Sequence, residues 1–219
     1  MQTANEPYLM EEQGWTVRVQ PPRAMQSAGS PRVILLLHGL LGNETVMWIF
    51  ARSIPNDYWI FAPRAPVQIE PNGFSWLPRG EGWPGLSHFR QAASDLIEAF
   101  KCWSEKAGAP ANSFDVMGFS QGAAMAYAAA AYFPQHVNRI LALAGFLPQD
   151  SQVTGLYANL RGKRVYISHG SQDETIPVHE ARQAVKILQS VGADVTYCES
   201  ETGHKMSAAC LRGLGEFFR

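Results

Sequence analysis

The fold is decided by the stretch FDVMGFSQGAAM, residues 114–125. Its first four residues form a β-rich apolar run, and the alanine-rich residues at its end are typical of a buried helix. Between them, Gly118 and Gly122 flank Ser120 at two residues on either side. Such a tight strand-turn-helix junction raises a serine hydroxyl above the sheet edge, and the backbone N–H of the next residue, Gln121, then faces an oxyanion. We therefore predict that Ser120 is a nucleophile.

Six further β-rich runs recur along the chain, with helical patterns between them. Several are continuously apolar, such as residues 33–37, which suits strands that are covered by helices on both faces. Together with residues 114–117 they predict a mostly parallel, seven-stranded sheet: residues 15–19, 32–37, 58–62, 140–144, 164–168 and 194–198. Periodicity also predicts helices over residues 87–107, 178–191 and 206–218. The prediction is a single doubly wound α/β domain over residues 1–219.

The segment 63–86 does not fit this alternation of strands and helices. It contains five prolines, four glycines and three aromatic residues. Long irregular connections in compact domains tend to be functional. We therefore expect residues 63–86 to form a long irregular loop near the active site.

A reactive serine needs a base, and the base needs an acid that orients it; in this arrangement the acid precedes the base in the chain. Asp173 lies in a polar turn directly after the predicted strand 164–168 and is the candidate acid. Glu174 is its nearest rival, whereas Asp150 follows an earlier strand and Asp194 begins the last one. The alternative role for Asp173 is to cap the helix that follows.

Among the six histidines, His204 comes after the last predicted strand, in a loop that leads into the final helix. There its imidazole could lie between the serine and the acid, so His204 is the candidate base. The alternative is a surface histidine at a helix start. His38 and His169 each precede a glycine at a strand end, where packing of the turn is the more economical interpretation.

The second oxyanion donor is expected in the glycine-containing loop 38–43, which follows the strand 32–37. Glycines there allow a backbone N–H to face the substrate. We assign this donor to Leu40, with Leu41 as the alternative.

The overall composition excludes several classes of function. Eighteen basic and nineteen acidic residues give a net charge of −1, which does not favour nucleic acid as a partner. The longest apolar run, residues 123–133, is far shorter than the ~20 residues that a membrane span needs. The first fifteen residues have neither a basic start nor an apolar stretch, so a cytoplasmic location is expected. The oligomeric state is not predicted.

The three cysteines, Cys102, Cys198 and Cys210, contain no close pair. This spacing indicates neither a disulfide framework nor a zinc site, so they are interpreted as small hydrophobic residues.

These motifs resemble the phospholipase/carboxylesterase family, the small carboxylesterase and acyl-thioesterase branch of the α/β hydrolases. The resemblance is carried by LLHGL at 36–40, GFSQGAAM at 118–125, HGSQDETIPV at 169–178 and GH at 203–204. It implies an α/β-hydrolase fold and an activity that needs no metal or organic cofactor. It also implies these site residues: Ser120 as nucleophile, Asp173 as acid, His204 as base, and the Leu40 and Gln121 amides as oxyanion hole.

The chain departs from the family in the segment 63–86. Members commonly have Trp-Phe-Asp there, whereas this chain has Trp76-Leu77-Pro78. The departure leaves the substrate preference open. The expected substrate-binding residues are Leu41, Phe74, Trp76, Phe146 and Ile176. The alternative for the aromatic residues is that they pin the loop to the core.

The sequence thus predicts a serine hydrolase that cleaves small-molecule carboxylic esters of short to medium acyl chains through an acyl-enzyme. A thioesterase that acts on acylated protein or small thioesters is the first alternative. A non-catalytic binding module on the same fold is the second.

Overall fold

The structure is a computed structural model that describes residues 6–24, 31–80, 82–150 and 155–219. Residues 1–5 of the amino-terminal stretch, and Glu81 within the segment 63–86, lie outside the described residues.

In the described ranges the chain forms one eight-stranded sheet and a separate two-stranded hairpin. The strands are β1 Tyr8–Glu12, β2 Trp15–Gln20, β3 Arg32–Leu37, β4 Tyr58–Pro63, β5 Val67–Glu70, β6 Gly73–Ser75, β7 Phe114–Phe119, β8 Val137–Leu143, β9 Arg164–Gly170 and β10 Asp194–Ser200. The order in the large sheet is β1-β2-β4-β3-β7-β8-β9-β10. The six strands β4, β3, β7, β8, β9 and β10 pair in parallel with their neighbours in this order. Strand β2 pairs antiparallel with both β1 and β4.

Helices cover both faces of the sheet. The α-helices are α1 Arg90–Ala107, α2 Gln121–Tyr132, α3 Val178–Ser190 and α4 Ala208–Phe217, and 3₁₀ helices span Val46–Ser53, Leu86–Phe89 and Leu156–Leu160. Alternate residues of β3 divide between two hydrophobic clusters: Leu35 belongs to the cluster that includes residues of α1, α2 and α3, and Leu36 belongs to the one that includes residues of α4 and the 3₁₀ helix Val46–Ser53. Because successive side chains point to opposite faces of a strand, the apolar run of β3 contributes to the hydrophobic clusters on both faces of the sheet.

Helix α2 is buried along its length, since residues 122–131 all have buried side chains. Most of these side chains are alanine, which allows the helix backbone to approach both the sheet and α1 closely. In the described part of the chain, neither α2 nor any other helix is both long and apolar enough to cross a membrane.

The prediction of seven strands was one strand short. The missed strand, β1, lies at the edge of the sheet and buries Met10 while its neighbours stay exposed or half-buried. An edge strand of this kind carries no apolar run, so its sequence gives a weak signal. The segment 63–86 is also more regular than expected, because it contains the hairpin of β5 and β6.

The interpretation of the cysteines as unpaired small hydrophobic residues was wrong for two of them. Cys198 in β10 and Cys210 in α4 form a disulfide, with Cα atoms 5.6 Å apart, and Cys102 is free. Twelve residues separate the pair in sequence, but the chain turns back after β10 and packs α4 against that strand. Sequence spacing alone therefore did not indicate their proximity.

Candidate active site

Four of the predicted site residues follow parallel strands at the same edge of the sheet. Leu40 follows β3, Ser120 follows β7, Asp173 follows β9 and His204 follows β10. The carboxyl ends of parallel strands meet at one edge, where open α/β sheets hold their ligands. The topology thus brings four distant parts of the chain to one place.

Ser120 lies on a sharp turn between β7 and α2. Its backbone has φ 56° and ψ −120°, a conformation that L-residues rarely adopt. The turn is possible because strand and helix nearly touch: a Cβ atom on Gly118 would come 2.0 Å from the carbonyl oxygen of Gly122. The turn therefore requires glycine at this close approach, and it holds the serine in a strained position between strand and helix.

Asp173 and His204 form a close pair. The Nδ1 atom of His204 lies 2.7 Å from Oδ2 of Asp173. The other carboxylate oxygen, Oδ1, accepts hydrogen bonds from the backbone N–H groups of Thr175 and Ile176, both at 2.9 Å. The Asp173 side chain is thus buried, fixed by its own turn, and directed at the imidazole.

The rival acids are placed elsewhere. The side chain of Glu174 is exposed to solvent, and Asp194 is exposed at the start of β10, at the opposite end of that strand from His204. The Oδ2 atom of Asp150 accepts a hydrogen bond from the backbone N–H of Ser87 at 3.2 Å. Asp173 is therefore the acid that the geometry pairs with His204.

The imidazole of His204 also packs against the end of β7. Its ring centroid lies 4.9 Å from that of Phe119, the residue directly before Ser120. In the described ranges no hydrogen bond joins the Ser120 hydroxyl to the imidazole. Hydrogen bonds between a nucleophile and its base often tighten only when substrate is bound.

The structure distinguishes the two candidate amides of the loop 38–43, called the oxyanion loop after its predicted role. The N–H of Leu41 donates to the carbonyl oxygen of Phe74 at 2.9 Å, so this amide is already occupied. Among the described residues the N–H of Leu40 has no such partner. Leu40, the primary assignment, is therefore the amide that is free to face a substrate.

The second predicted donor, the N–H of Gln121, begins helix α2. The amides at a helix start lack partners within the helix, and the helix dipole favours negative charge there. The Gln121 side chain has a separate role that sequence did not indicate. Its Oε1 accepts from the N–H of Trp76 at 3.1 Å, and its Nε2 donates to Oγ of Ser75 at 3.0 Å. Gln121 thereby joins the β5–β6 hairpin to the turn between β7 and α2 that carries Ser120, called the nucleophile turn after the predicted role of Ser120.

His38 holds the oxyanion loop from inside the protein. Its Nε2 accepts a hydrogen bond from the N–H of Ala65 at 2.9 Å, so the neutral ring carries its proton on Nδ1, which donates to the carbonyl oxygen of Gly39 at 2.7 Å. Burial lowers the pKa of His38 to about 4. The residue packs the turn, as the sequence suggested, and stays neutral at physiological pH.

We expect His38 to make the fold less stable in mild acid. Its pKa is about 4 in the folded protein, against the ordinary value of 6.5 in the unfolded chain, so between these values the unfolded chain binds more protons. The free energy of unfolding should therefore fall from pH 6.5 to pH 4, with about 3 kcal/mol arising from His38. Urea unfolding at pH 7 and pH 4.5 tests this, with His38→Gln as the variant that keeps an acceptor but does not titrate. Equal pH dependence in both proteins would contradict the expectation.

His169 also serves as a packing residue. Its Nε2 donates to the carbonyl oxygen of Ile176 at 2.8 Å, and the same atom lies 3.4 Å from Oδ2 of Asp173. The ring is fully buried at the end of β9. It therefore supports the turn that carries Asp173.

The predicted substrate-binding residues do not form one wall. Leu41 is 43% exposed and borders open space, whereas Trp76 and Ile176 are buried in the hydrophobic core. The indole of Trp76 donates to the carbonyl oxygen of His38 at 2.8 Å, so Trp76 pins the hairpin to the core. Phe146 is also largely buried, and the ring of Trp83 packs against it with the two ring centroids 4.7 Å apart.

Phe74 has a different position, on the hairpin strand β6. It forms a bridge to Gly42 of the oxyanion loop, and the guanidinium of Arg64 lies 4.8 Å from its ring centroid. Phe74 therefore supports the oxyanion loop through its backbone, and its ring is half-buried.

An apolar groove that the sequence analysis missed lies beside the nucleophile turn. It has a volume of about 680 Å³ and is lined by Gly39, Leu40, Leu41, Gly42, Val46, Met47, Ile49, Phe50, Phe119, Lys205, Met206, Ser207, Ala208 and Leu211. Four of the six exposed large hydrophobic residues in the described ranges border it, among them Ile49 at 74% exposure. The apolar run at residues 46–50, directly after the oxyanion loop, was the signal that could have revealed it.

The groove adjoins the nucleophile turn. Gly39 lines it, and a Cβ atom on Gly39 would lie 3.1 Å from Cβ of Ser120. Phe119, which contacts the imidazole of His204, forms part of the same wall. An apolar chain that extends from Ser120 toward Gly39 and Phe119 would therefore reach the groove.

No cluster of three or more His, Cys, Asp or Glu side chains that could hold a metal ion occurs in the residues that the structure covers.

Comparison with known proteins agrees with the motifs and with the fold. Residues 23–219 match the Phospholipase/Carboxylesterase family. Esterase YpfH of Escherichia coli is 29% identical over 188 residues, which cover 78% of this chain and 75% of that protein. Acyl-protein thioesterase 1 of Candida albicans is 26% identical over 73% of this chain and 78% of that protein.

A solved structure extends the agreement to the whole fold. The crystal structure of a carboxylesterase from Mesorhizobium loti superposes with a TM-score of 0.80, at 20% identity, over 96% of this chain and 97% of that one. The family match covers most of the sequence and includes every motif on which the resemblance was based. The chain therefore belongs to the phospholipase/carboxylesterase family, as a carboxylesterase-type hydrolase with an α/β-hydrolase fold.

Proposed function

We propose that this protein hydrolyses carboxylic esters of short to medium acyl chains through a covalent acyl-enzyme at Ser120. The observation that carries the proposal is the 2.7 Å contact between His204 and Asp173, beside a serine in a strained turn. A serine hydroxyl is a weak nucleophile until a base removes its proton, and these groups supply the base and its orienting acid.

In the proposed mechanism the Ser120 oxygen attacks the ester carbonyl carbon while Nε2 of His204 accepts the hydroxyl proton. The N–H groups of Leu40 and Gln121 stabilise the oxyanion that forms. His204 then gives its proton to the departing alcohol, which leaves an ester on Ser120. Water attacks this acyl-enzyme with the same base, and the carboxylic acid is released. Asp173 holds the imidazole in one orientation throughout.

The apolar groove supports an ester with a hydrocarbon chain as the substrate. Its walls are the oxyanion loop, the 3₁₀ helix Val46–Ser53 and the start of α4. Burying one methylene group stabilises a complex by about 0.8 kcal/mol, so kcat/KM should rise about fourfold for each methylene that enters the groove. A series of p-nitrophenyl esters from acetate to dodecanoate tests the proposal, and an initial burst of nitrophenol equal to the enzyme concentration would reveal the acyl-enzyme.

We expect Ile49→Asp to lower kcat/KM for the octanoyl ester about tenfold while leaving the acetyl ester nearly unchanged, because a charge would then lie beside the longer chain. The matched control is Leu9→Asp, since Leu9 is similarly exposed at 61% but belongs to the edge strand β1. The measurement is the ratio of kcat/KM for the two esters. If both variants lower kcat/KM equally for the two esters, the groove does not bind the acyl chain.

A thioesterase is the second candidate function. It is favoured by the similarity to a protein named acyl-protein thioesterase 1, because esters and thioesters are attacked in the same way at the carbonyl carbon. The ratio of kcat/KM for matched oxygen and sulfur esters discriminates between the two activities.

The remaining predictions are part of the same proposal. They comprise one domain over residues 1–219, a cytoplasmic location, small-molecule esters as substrates, and no role for nucleic acid or for a cofactor. A non-catalytic binding module would be distinguished by a fluorophosphonate probe, which reacts with an activated serine and leaves an inactive one unlabelled.

A further inference from the structure

A disulfide closes the loop that carries His204. Cys198 lies in β10 and Cys210 in the first turn of α4, and their Cα atoms are 5.6 Å apart. His204 is the sixth residue after Cys198 and the sixth before Cys210. The proposed base therefore stands at the middle of a covalently closed loop.

The first half of this loop is held by the turn that follows β9. The carbonyl oxygen of Ser200 accepts the N–H of Ser171 at 2.8 Å, and that of Thr202 accepts the N–H of Gln172 at 3.0 Å. A Cβ atom on Gly170 would lie 2.2 Å from the Thr202 oxygen, so loop and strand end are in close contact. This half is fixed without the disulfide.

The second half is held differently. The N–H of Lys205 bonds to the carbonyl oxygen of Gly203 at 2.7 Å, which is a contact within the loop itself. Residues 205–208 line the apolar groove, so one side of them faces open space rather than packed core. The hydroxyl of Ser207 accepts the N–H of Cys210 at 3.1 Å and joins the loop to the start of α4. The carbonyl oxygen of Lys205 also accepts the Thr202 hydroxyl at 3.3 Å, and Met206 packs against the hydrophobic core. Beyond these contacts the position of this half depends on α4.

The start of α4 is fixed to the sheet at Cys210. The disulfide joins this residue to β10, and its carbonyl oxygen accepts the hydroxyl of Tyr166 at 2.6 Å. Strand β10 is itself the last strand of the sheet and pairs with β9 alone. With the disulfide open, α4 would still be held by the Tyr166 hydrogen bond and by its buried residues Leu214 and Phe217. The first turn of α4, and with it the loop between His204 and α4, would lose its covalent link to β10 and could move toward the groove.

We propose that the Cys198–Cys210 disulfide is a positioning element for His204, so that ester hydrolysis is fastest when the disulfide is formed. The inference rests on the proposed function, in which His204 is the base. A dithiol that reduces the bond supplies two electrons and two protons, which yields two cysteine thiols and a cyclic disulfide of the reductant. Because a displacement of ~1 Å can cost 10²-fold in rate, we expect kcat to fall about tenfold or more.

The test compares the oxidised full-length protein with the same protein after treatment with dithiothreitol. Thiols counted in denaturant should number one per chain before reduction and three after it, since Cys102 is the free cysteine. With p-nitrophenyl acetate, a short ester that makes little use of the groove, kcat should fall while KM stays unchanged, and reoxidation should restore kcat. Cys102→Ala is the matched control and should show the same loss.

A variant that cannot form the bond separates positioning from stability. Cys198→Ser combined with Cys210→Ser should have a low kcat that dithiothreitol does not change. Circular dichroism at the assay temperature gives the folded fraction of each sample. If the disulfide were merely structural, its loss would lower the melting temperature but leave kcat per folded molecule unaltered.

The inference is overturned if the fully reduced protein keeps its kcat, if kcat falls only as the folded fraction falls, or if the protein contains three thiols under oxidising conditions. An oxidised wild type that hydrolyses no ester would refute the proposed function instead. The two failures are therefore distinguishable.

Discussion

Replacing Ser120 by alanine should lower kcat/KM for p-nitrophenyl butyrate by a factor of about 10⁴ or more. The variant keeps the φ 56° turn, the oxyanion amides and the imidazole, and it removes the oxygen that would form the acyl-enzyme. The remaining groups can stabilise attack by water only weakly, because water is not held at the position of the hydroxyl. Initial rates in the wild type and the variant, at equal protein concentration, measure the loss.

Two controls make the result specific to the hydroxyl of Ser120. Ser190→Ala removes an exposed hydroxyl at the end of α3, whose hydrogen bond to Ile187 is local, and should leave kcat/KM within about twofold. A fluorophosphonate probe should label the wild type and Ser190→Ala but not Ser120→Ala. Near-wild-type activity in Ser120→Ala would show that another residue is the nucleophile.

The parts of the fold that sequence predicted are those with strong local signals. The apolar run of β3 and the small-residue helix after Ser120 are patterns that few other structures accommodate. The nucleophile turn was predictable for the same reason, because its close backbone approach leaves room only for glycine at Gly118. Six parallel strands then follow from the alternation of strands and helices, and with them the edge at which Ser120, Asp173 and His204 gather.

What sequence could not predict depends on contacts between distant residues. Strand β1 has little apolar character, since it forms an edge and buries one residue. The choice between the Leu40 and Leu41 amides is set by the hairpin residue Phe74, whose carbonyl oxygen occupies one of them. The Cys198–Cys210 disulfide and one wall of the apolar groove arise where α4 returns to the sheet, and no local pattern encodes that approach.

The replacement Asp173→Asn should lower kcat by about 10⁴, and the structure gives a specific reason. Two backbone N–H groups, of Thr175 and Ile176, donate to Oδ1 of Asp173 at 2.9 Å. In the variant they would bind the amide oxygen, so the NH₂ group of the asparagine would face Nδ1 of His204. A donor at that position requires Nδ1 to accept, which puts the imidazole proton on Nε2. The ring then cannot take a proton from Ser120.

Glu174→Gln provides the matched control, because it removes a neighbouring carboxylate that is exposed to solvent. Its kcat and KM should stay within about twofold of the wild type. Steady-state kinetics with p-nitrophenyl butyrate measures both variants, and urea unfolding shows whether each is folded in the assay. If Glu174→Gln lost its activity while Asp173→Asn kept kcat within about tenfold of the wild type, the acid would be Glu174, and the 2.7 Å contact of His204 with Asp173 would have no catalytic role.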